Sequence, residues 1–346
     1  MSEDIRSTGV WQDALEMPEA LQTTLDDSEG FADVTSLLTR STTRRIVASG
    51  NGASYYVALA LWLASLEGNE CPIEVVAVPG GLLARGGFRW REGDVLLAIS
   101  SSGELRDVIE AIESPGFRHP FAAVTATGQS TIGVTAGAKA MVKIPAQRAV
   151  THTHAFCGAV LTCLSIWAEV SSDDGLRRAV AEAPGACERA LRSSERWADE
   201  DFGSVRTPSA AVVLGTWTAW AAALEGALLI KEIARIPCEG VETREGATAA
   251  MTSLNATHLA LSLPTPGDDL IAEAEEICRA RGAQVLKAPG GLEADRRLSP
   301  LTAFPVPLAL SVALALRAGW DPDTPEWVST YYETARRSSS PRESGA

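Results

Sequence analysis

Residues 94–108, DVLLAISSSGELRDV, combine an uncharged apolar run, a serine-rich turn and the start of a helical pattern. The turn contains Ser100, Ser101 and Ser102, and Gly103 follows them. A strand-to-helix turn directs free backbone N–H groups and the positive end of a helix dipole at an anion. Neither GxxxxGK[ST] nor GxGxxG is present, which disfavours a nucleotide. The residues favour a loop for one small phosphate group; the alternative is a turn whose hydroxyls only cap nearby backbone groups.

A second candidate is the apolar helix predicted for residues 221–236, AAALEGALLIKEIARI. Its two acids, Glu225 and Glu232, are seven positions apart and therefore share one face. Burial disfavours the ionised carboxylate, and Glu232 also lies near the helix C-terminus, where the dipole disfavours negative charge. Both effects raise the pKa of Glu232 toward the range of a general base. The alternative is a structural ion pair of Glu232 with Arg235 or with a partner chain.

The segment GNGAS, residues 50–54, lies at another predicted strand-to-helix junction. In a doubly wound sheet such junctions line the crevice at the carboxyl ends of the strands. Ser54 is therefore either a ligand-binding residue or simply the N-cap of the next helix.

Residues 150–157, VTHTHAFC, contain His152 and His154 close to Cys157. The spacing suggests zinc, but the chain offers no second ligand cluster and Cys157 begins a helix. We therefore predict a polar substrate loop to which Val150 and His152 contribute, with no metal and no cofactor.

Composition limits the class of protein. A hydrophobic share of 46% in 346 residues supports a sizeable core, and the net charge of −14 disfavours nucleic acid and anionic membranes as partners. The N-terminus lacks the features of a signal peptide, and no apolar run appears long enough to span a membrane. Six cysteines without CxxC pairing indicate reduced thiols in a cytoplasmic protein.

Strand and helix patterns alternate along the chain, which predicts an α/β protein with doubly wound parallel sheets. Residues 211–229 resemble residues 46–64, and residues 258–270 resemble residues 95–108, at an offset of about 165 positions. The second copy carries Leu-Pro-Thr-Pro, residues 263–266, in place of the serines. Because proline has no N–H to offer an anion, only the first copy is predicted to bind phosphate.

Two helical stretches contain proline. Residues 11–25 are predicted to form two short helices separated at Pro18. Residues 173–202 are predicted to form a helical connector broken at Pro184, followed by a hinge at residues 203–208.

Taken in order, the motifs ALEMPEALQTTL, SGNGASYY, AISSSGELRDV, LEGALLIKEI and GWDPDTPEWVS resemble the sugar isomerase (SIS) family. The resemblance extends over residues 11–334 and is strongest to the isomerase half of glucosamine-6-phosphate synthase and to related deglycases and deaminases. It implies two tandem αβα SIS subdomains and a homodimer.

The corresponding domain prediction has five parts. They are an N-terminal helical arm (1–40), SIS subdomain 1 with the phosphosugar loop (41–170), a helical connector (171–203), SIS subdomain 2 (204–325), and a C-terminal segment and tail (326–346).

The resemblance also implies roles for the candidate residues. The family's phosphate loop corresponds to Ser100, Ser101 and Ser102, although Leu105 replaces a family threonine. Ser54 corresponds to a serine that lines the same site. In the predicted substrate loop, His152 replaces a family serine.

Among the family's catalytic groups, the glutamate that moves a proton between C1 and C2 corresponds to Glu232. Three others are replaced: the ring-opening histidine by Thr248, a C-terminal lysine by Thr330, and the lysine one turn before the base by Leu229.

The sequence therefore predicts an enzyme that acts on a phosphorylated sugar, most readily an amino-sugar phosphate. The reaction is isomerisation, or addition or removal of an amine, by proton transfer at C1 and C2, without a glutaminase domain in this chain. The alternative is a non-catalytic sugar-phosphate-binding regulatory protein.

Overall fold

The computed structural model describes residues 4–68, 70–151, 153–290 and 295–327. Its strands form two parallel sheets, of five and four strands, and helices flank both. This confirms the predicted α/β class with two tandem doubly wound units. The strands are β1 (Arg45–Gly50), β2 (Glu74–Pro79), β3 (Asp94–Ile99), β4 (Phe121–Thr125), β5 (Ala138–Met141), β6 (Ala210–Gly215), β7 (Cys238–Glu242), β8 (His258–Leu263) and β9 (Gln284–Lys287).

The strand order is β2-β1-β3-β4-β5 in the first sheet and β7-β6-β8-β9 in the second, so the first four strands of each sheet follow the same order. This common order confirms the internal repeat. In the first sheet the order reverses between β1 and β3, which pair in parallel with Ser49 opposite Ala98. The reversal opens a crevice beyond the carboxyl ends of these two strands, the usual ligand position in such sheets.

Thirteen α-helices occur in the described ranges. They are α1 (Gly9–Asp27), α2 (Phe31–Leu38), α3 (Ala53–Ser65), α4 (Gly80–Ala84), α5 (Arg106–Glu113), α6 (Thr131–Thr135), α7 (Thr153–Val170), α8 (Asp174–Asp201), α9 (Ala219–Ile233), α10 (Thr243–Thr248), α11 (Ile271–Ala280), α12 (Ser299–Thr302) and α13 (Pro305–Ala318). Short 3-10 turns lie at Ile5–Ser7, Phe202–Ser204, Ala250–Ser253 and Arg296–Leu298.

Both predicted helix breaks are wrong. Helix α1 continues through Pro18, and α8 continues through Pro184 for 28 residues. A proline inside a helix costs about 3 kcal/mol. Helix α1 buries Trp11, Met17 and Leu21 against the core, and each such side chain contributes roughly 1.5–3 kcal/mol. Burial of the apolar face therefore outweighs the local cost of the proline.

Two helical stretches, Thr153–Val170 and Arg296–Ala318, are long and apolar enough to cross a membrane by length and composition. The sequence analysis expected no such run. Within this structure, 83% and 94% of the two apolar windows are buried. Burial among the other helices accounts for their composition.

One apolar cluster joins the two halves of the chain. It contains residues of both sheets and of α3, α7, α9 and α13. Helix α3, which follows β1, packs against α9, which follows β6. The helices that follow the two equivalent strands, β1 and β6, are therefore in direct contact.

A buried ion-pair group also joins the halves. The Arg297 guanidinium donates to Asp173 at the start of α8 (2.7 Å) and to Asp295 (2.7 Å). The side chains of Arg297 and Asp173 are each 8% exposed. Burial alone would raise the pKa of Asp173, but the hydrogen bond from Arg297 holds it below its ordinary value.

Replacing Arg297 by Ala leaves two acids without their cation, so we expect a loss of about 3–5 kcal/mol in the free energy of unfolding at neutral pH. The pKa of Asp173 is lowered in the folded state, so its share of this stability disappears as the pH falls below about 4. Urea denaturation measures both effects. Arg192→Ala, which breaks an exposed pair with Glu188, is the control and should cost under about 1 kcal/mol. Equal losses in the two variants would contradict a stabilising role for the buried group.

Candidate active site

The serine loop, residues 100–103, follows β3 and is held by the loop after β4. The Ser101 carbonyl accepts hydrogen bonds from the Ala126 N–H (3.1 Å) and the Thr125 hydroxyl (3.2 Å). Gly103 has a φ of +66°, and a Cβ there would lie 1.8 Å from the Ser130 hydroxyl oxygen. Only glycine fits this left-handed and crowded position.

Two hydroxyls of the serine loop already bind neighbouring amides. The Ser100 hydroxyl oxygen accepts from the Gly103 N–H (3.0 Å), and that of Ser102 accepts from the Glu104 N–H (3.2 Å). This is the local capping considered as an alternative. A hydroxyl that accepts can still donate its own proton, so both remain available to an anion.

The second junction, residues 50–54, lies beside the serine loop. The Asn51 side-chain amide donates to Asp107 in the first turn of α5, the helix after the serine loop. A Cβ on Gly80 would lie 2.9 Å from the Asn51 amide oxygen and 3.3 Å from the Asp107 Cβ. The ends of β1, β2 and β3 therefore converge at the crevice.

Ser54 lies in the first turn of α3 and is half-buried. The N-cap of α3 is Gly52, without a side-chain capping bond, so the alternative in which Ser54 caps the helix is wrong. A Cβ on Gly50 would lie 2.5 Å from the Ser54 Cβ. Because Gly50 has no Cβ, Ser54 can lie close to the end of β1.

The equivalent junction of the second copy differs in its capping. There the Asp268 carboxylate accepts from the Leu270 N–H (3.0 Å) and the Ile271 N–H (3.1 Å) at the start of α11. In the first copy, the N-cap of α5 is Leu105, which makes no side-chain capping bond. An acid therefore already binds the amides in the second copy, while those of the first copy have no such partner.

Glu232 lies in the last turn of α9 and is half-buried. Burial raises its pKa to about 7, and the positive charge of Lys231 opposes the rise. The alternative pairing with Arg235 is not formed. Arg235 instead contacts Glu326 (3.1 Å) and lies over the Trp320 ring, 4.0 Å from its centroid.

Glu225, on the same face of α9, is 4% exposed. Burial, and then the charge of Glu232, raise the pKa of Glu225 to about 8. Sequence reasoning identified Glu225 only as a neighbour of Glu232, because its depth depends on which helices cover α9.

Tyr56 lies near the two carboxylates. It lies on α3, two residues after Ser54, and it is half-buried. Burial raises the pKa of the Tyr56 phenol, and the charges of Glu225 and Glu232 raise it further. One short stretch of α3 thus contains both a crevice residue and a phenol near the two acids. Sequence analysis did not select Tyr56, since only the packing of α3 on α9 brings it there.

Among the described residues, the remaining predicted ones are not hydrogen-bonded to the serine loop or to Glu232. Val150 is half-buried, and its N–H donates to the Asp323 carbonyl (3.0 Å), not to the serine loop. His152 and Thr330 lie outside the described residues, as does the predicted tail from residue 328 onward. Thr248 is exposed on α10, and its hydroxyl donates to the Arg244 carbonyl (2.8 Å).

Metal ligation was the other interpretation of residues 150–157. His154 and Cys157 are both buried in α7, and burial holds the pKa of the Cys157 thiol far above its usual range. Within the described ranges, no group of three or more His, Cys, Asp or Glu side chains lies close enough together to bind a metal ion.

The fold is an α/β architecture shared with solved sugar-isomerase and deaminase structures, and the chain also matches curated relatives. Those described next are glutamine–fructose-6-phosphate aminotransferases (isomerizing). Those of Pyrobaculum aerophilum and Methanothermobacter thermautotrophicus are 25% and 27% identical over 335 and 336 residues, which is 90% of this chain and 55% of each relative. The one from Shewanella oneidensis is 26% identical, over 79% of this chain and 49% of the relative. The chain spans about half the length of the relatives it matches.

Solved structures show the same fold. Glucosamine-6-phosphate deaminase from Thermotoga maritima superposes with a TM-score of 0.76 at 18% identity, over 92% of this chain and 98% of that one. The C-terminal domain of glucosamine-fructose-6-phosphate aminotransferase from Francisella tularensis gives 0.74 at 18%, over 94% and 100%. Tagatose-6-phosphate ketose/aldose isomerase from Escherichia coli gives 0.73 at 16%, over 92% and 95%. No family model matches the chain. The relatives and structures together confirm the resemblance to the SIS family.

The serine loop leads to a binding prediction. Each hydrogen bond to a charged oxygen contributes roughly 1.5–3 kcal/mol, so replacing Ser100 and Ser102 together by Ala should weaken sugar-phosphate binding at least about tenfold. Calorimetry with the tightest-binding member of a sugar-phosphate panel measures this. Ser253→Ala, an exposed serine outside the crevice, is the control. Unchanged affinity in the double variant would place the phosphate elsewhere.

Proposed function

We propose that this chain is an enzyme that binds a phosphorylated sugar, most readily an amino-sugar phosphate, in the crevice between β1 and β3. Glu232 is the general base that moves a proton between C1 and C2. The observation that carries the proposal is the packing of α3 on α9. It places α3, whose first turn carries Ser54 at the end of β1, beside the helix that carries Glu232, a carboxylate whose pKa lies near neutrality.

The chemistry follows from the two halves of the site. Hydroxyls of Ser100, Ser101 and Ser102 donate to the phosphate and hold one end of the sugar. Ionised Glu232 takes the proton from the carbon beside a carbonyl or imine, and the protonated acid returns it to the neighbouring carbon. A base with a pKa of about 7 is effective near neutral pH, since it is partly ionised and its conjugate acid still gives up the proton.

The residues that replace family catalytic groups narrow the range of substrates. Thr248 is exposed, and its hydroxyl is bonded within α10, so it does not supply the ring-opening imidazole that the family resemblance implies. Leu229 offers no charge where the resemblance implies a lysine. We therefore favour a substrate that is already open-chain or that opens without enzyme help. The same chemistry covers aldose–ketose isomerisation and the addition or removal of an amine at C2.

The proposed cellular setting is the cytoplasm. All six cysteines are free thiols, five of them buried.

We expect a homodimer, because the family resemblance implies one. Light scattering at micromolar concentration should give twice the 36.5 kDa chain mass. A monomer at that concentration would refute the dimer.

Glu232→Gln decides between enzyme and regulatory protein. The substitution keeps the side-chain shape and removes the base. The variant should bind its sugar phosphate nearly normally and lose on the order of 10²–10⁴ in deuterium wash-in at C2. Glu239→Gln, an exposed acid on β7, is the matched control.

Full exchange activity in a folded Glu232→Gln protein, with folding checked by circular dichroism, would eliminate Glu232 as the base. Binding without any C2 exchange by the unaltered protein across the sugar-phosphate panel would instead favour the regulatory alternative.

A further inference from the structure

Glu225 is a buried acid that the proposed proton transfer does not use. Its side chain is 4% exposed, and within the described part of the chain its Oε2 atom has no hydrogen-bond partner. Position 229, one turn further along α9, is the place from which a cation would pair with it, but this residue is Leu229. An ionised carboxylate without a cation is strongly disfavoured in such surroundings.

In the described part of the chain, no lysine or arginine of the elements packed on α9 forms an ion pair with Glu225 either. Tyr56 approaches from α3 and Cys157 from α7, and both are neutral at neutral pH. Elements β6 and α12 contain no titratable side chain, and in α13 the single one, Arg317, donates to the carbonyls of Phe202 and Val205.

At the other end of α9, Lys231 is exposed and affects Glu232 and, on β7, Cys238. Strand β7 contains two acids. Glu239 is exposed, and the Glu242 carboxylate accepts from backbone N–H groups at the start of α10.

The pair formed by Glu225 and Glu232 must therefore divide one charge. The two residues are about 10.5 Å apart along the helix axis, with the intervening space filled by apolar side chains. Glu232 is half-buried and lies next to Lys231, so it ionises at the smaller cost. Its charge then opposes ionisation of Glu225, which has no access to solvent.

We propose that Glu225 is a positioning residue that stays protonated in the working enzyme, so that Glu232 carries the single negative charge of the pair, and that ionisation of Glu225 ends activity on the alkaline side. This inference rests on the proposed function. Removing a proton beside a carbonyl creates an enediolate, which is itself negative. A second carboxylate charge behind the base would oppose that anion and would also hold the proton on Glu232 more tightly.

The proton on Glu225 can be detected without any activity. Its pKa is about 8 in the folded protein and near the ordinary value of 4.5 when unfolded. The folded state thus binds the proton more tightly, and the stability of the unaltered protein should fall as pH rises from about 4.5 to about 8. Glu225→Gln mimics the protonated acid and lacks this fall. The trend due to Glu232 is common to both proteins and cancels in their difference.

The test is therefore a comparison of urea midpoints from pH 5 to pH 9 for the unaltered protein, Glu225→Gln and the control Glu239→Gln. The midpoint difference in favour of Glu225→Gln should grow with pH and level off above about pH 8, while the control shows no such growth. Parallel midpoints for the unaltered protein and Glu225→Gln overturn the proposal, whether or not the protein acts on a sugar phosphate.

Infrared spectroscopy of the Glu232→Gln protein covers the case in which the Glu225→Gln variant does not fold, because the Glu232→Gln substitution removes the other carboxyl group that is partly protonated near pH 7. A C=O stretch of a protonated carboxyl group should be present at pH 7 and disappear by pH 9. Its absence at pH 7 overturns the proposal.

The functional part is tested by the pH profile of C2 exchange. The unaltered protein should show an acid limb near pH 7 from Glu232 and an alkaline limb near pH 8, and the alkaline limb should be lost in Glu225→Gln. An alkaline limb that persists in the variant overturns the link between Glu225 and activity. Failure of the proposed function is a separate result, since the unaltered protein would then show no exchange at any pH while the stability difference remained.

Discussion

The packing of α3 against α9 is the contact on which the rest of the site depends. Each helix follows the first strand of its own copy, so this contact brings the crevice of one sheet to a helix of the other. Its strength comes from apolar burial, since both helices belong to the single large apolar cluster that spans the chain. Without this contact, the serine loop and Glu232 would lie on separate units.

The two copies illustrate how one fold acquires one site. Their strand orders correspond, but an acid, Asp268, accepts from the first amides of the helix after β8, whereas serine hydroxyls accept from the loop amides before the helix after β3. A helix terminus that is already bonded to a carboxylate attracts no further anion. Under the proposed function, the difference between the copies therefore depends on a few residues at one turn.

Burial acts in opposite directions on the charged groups of this protein. Arg297 and Asp173 are buried together and remain ionised, because each is the other's hydrogen-bond partner. Glu225 and Glu232 are buried on one face without a cation between them, so the pKa of each is raised. The first arrangement holds distant segments together, and the second gives two carboxyl groups with pKa values near neutrality.

Much of this could be predicted from the sequence, because the signals are local. Apolar runs of strand length located β1, β3 and β6, the repeat predicted two similar sheets, and the spacing of Glu225 and Glu232 placed them on one helix face. The prolines were misinterpreted for the same reason. Pro18 and Pro184 favour helix ends locally, whereas the burial that keeps α1 and α8 continuous comes from distant helices. Only the tertiary structure decided that Glu225 is deeper than Glu232, that Tyr56 lies near both, and that Arg235 contacts Glu326 instead of Glu232. Depth, desolvation and pairing depend on which distant segments cover a residue, and the order of residues along one helix does not contain that information.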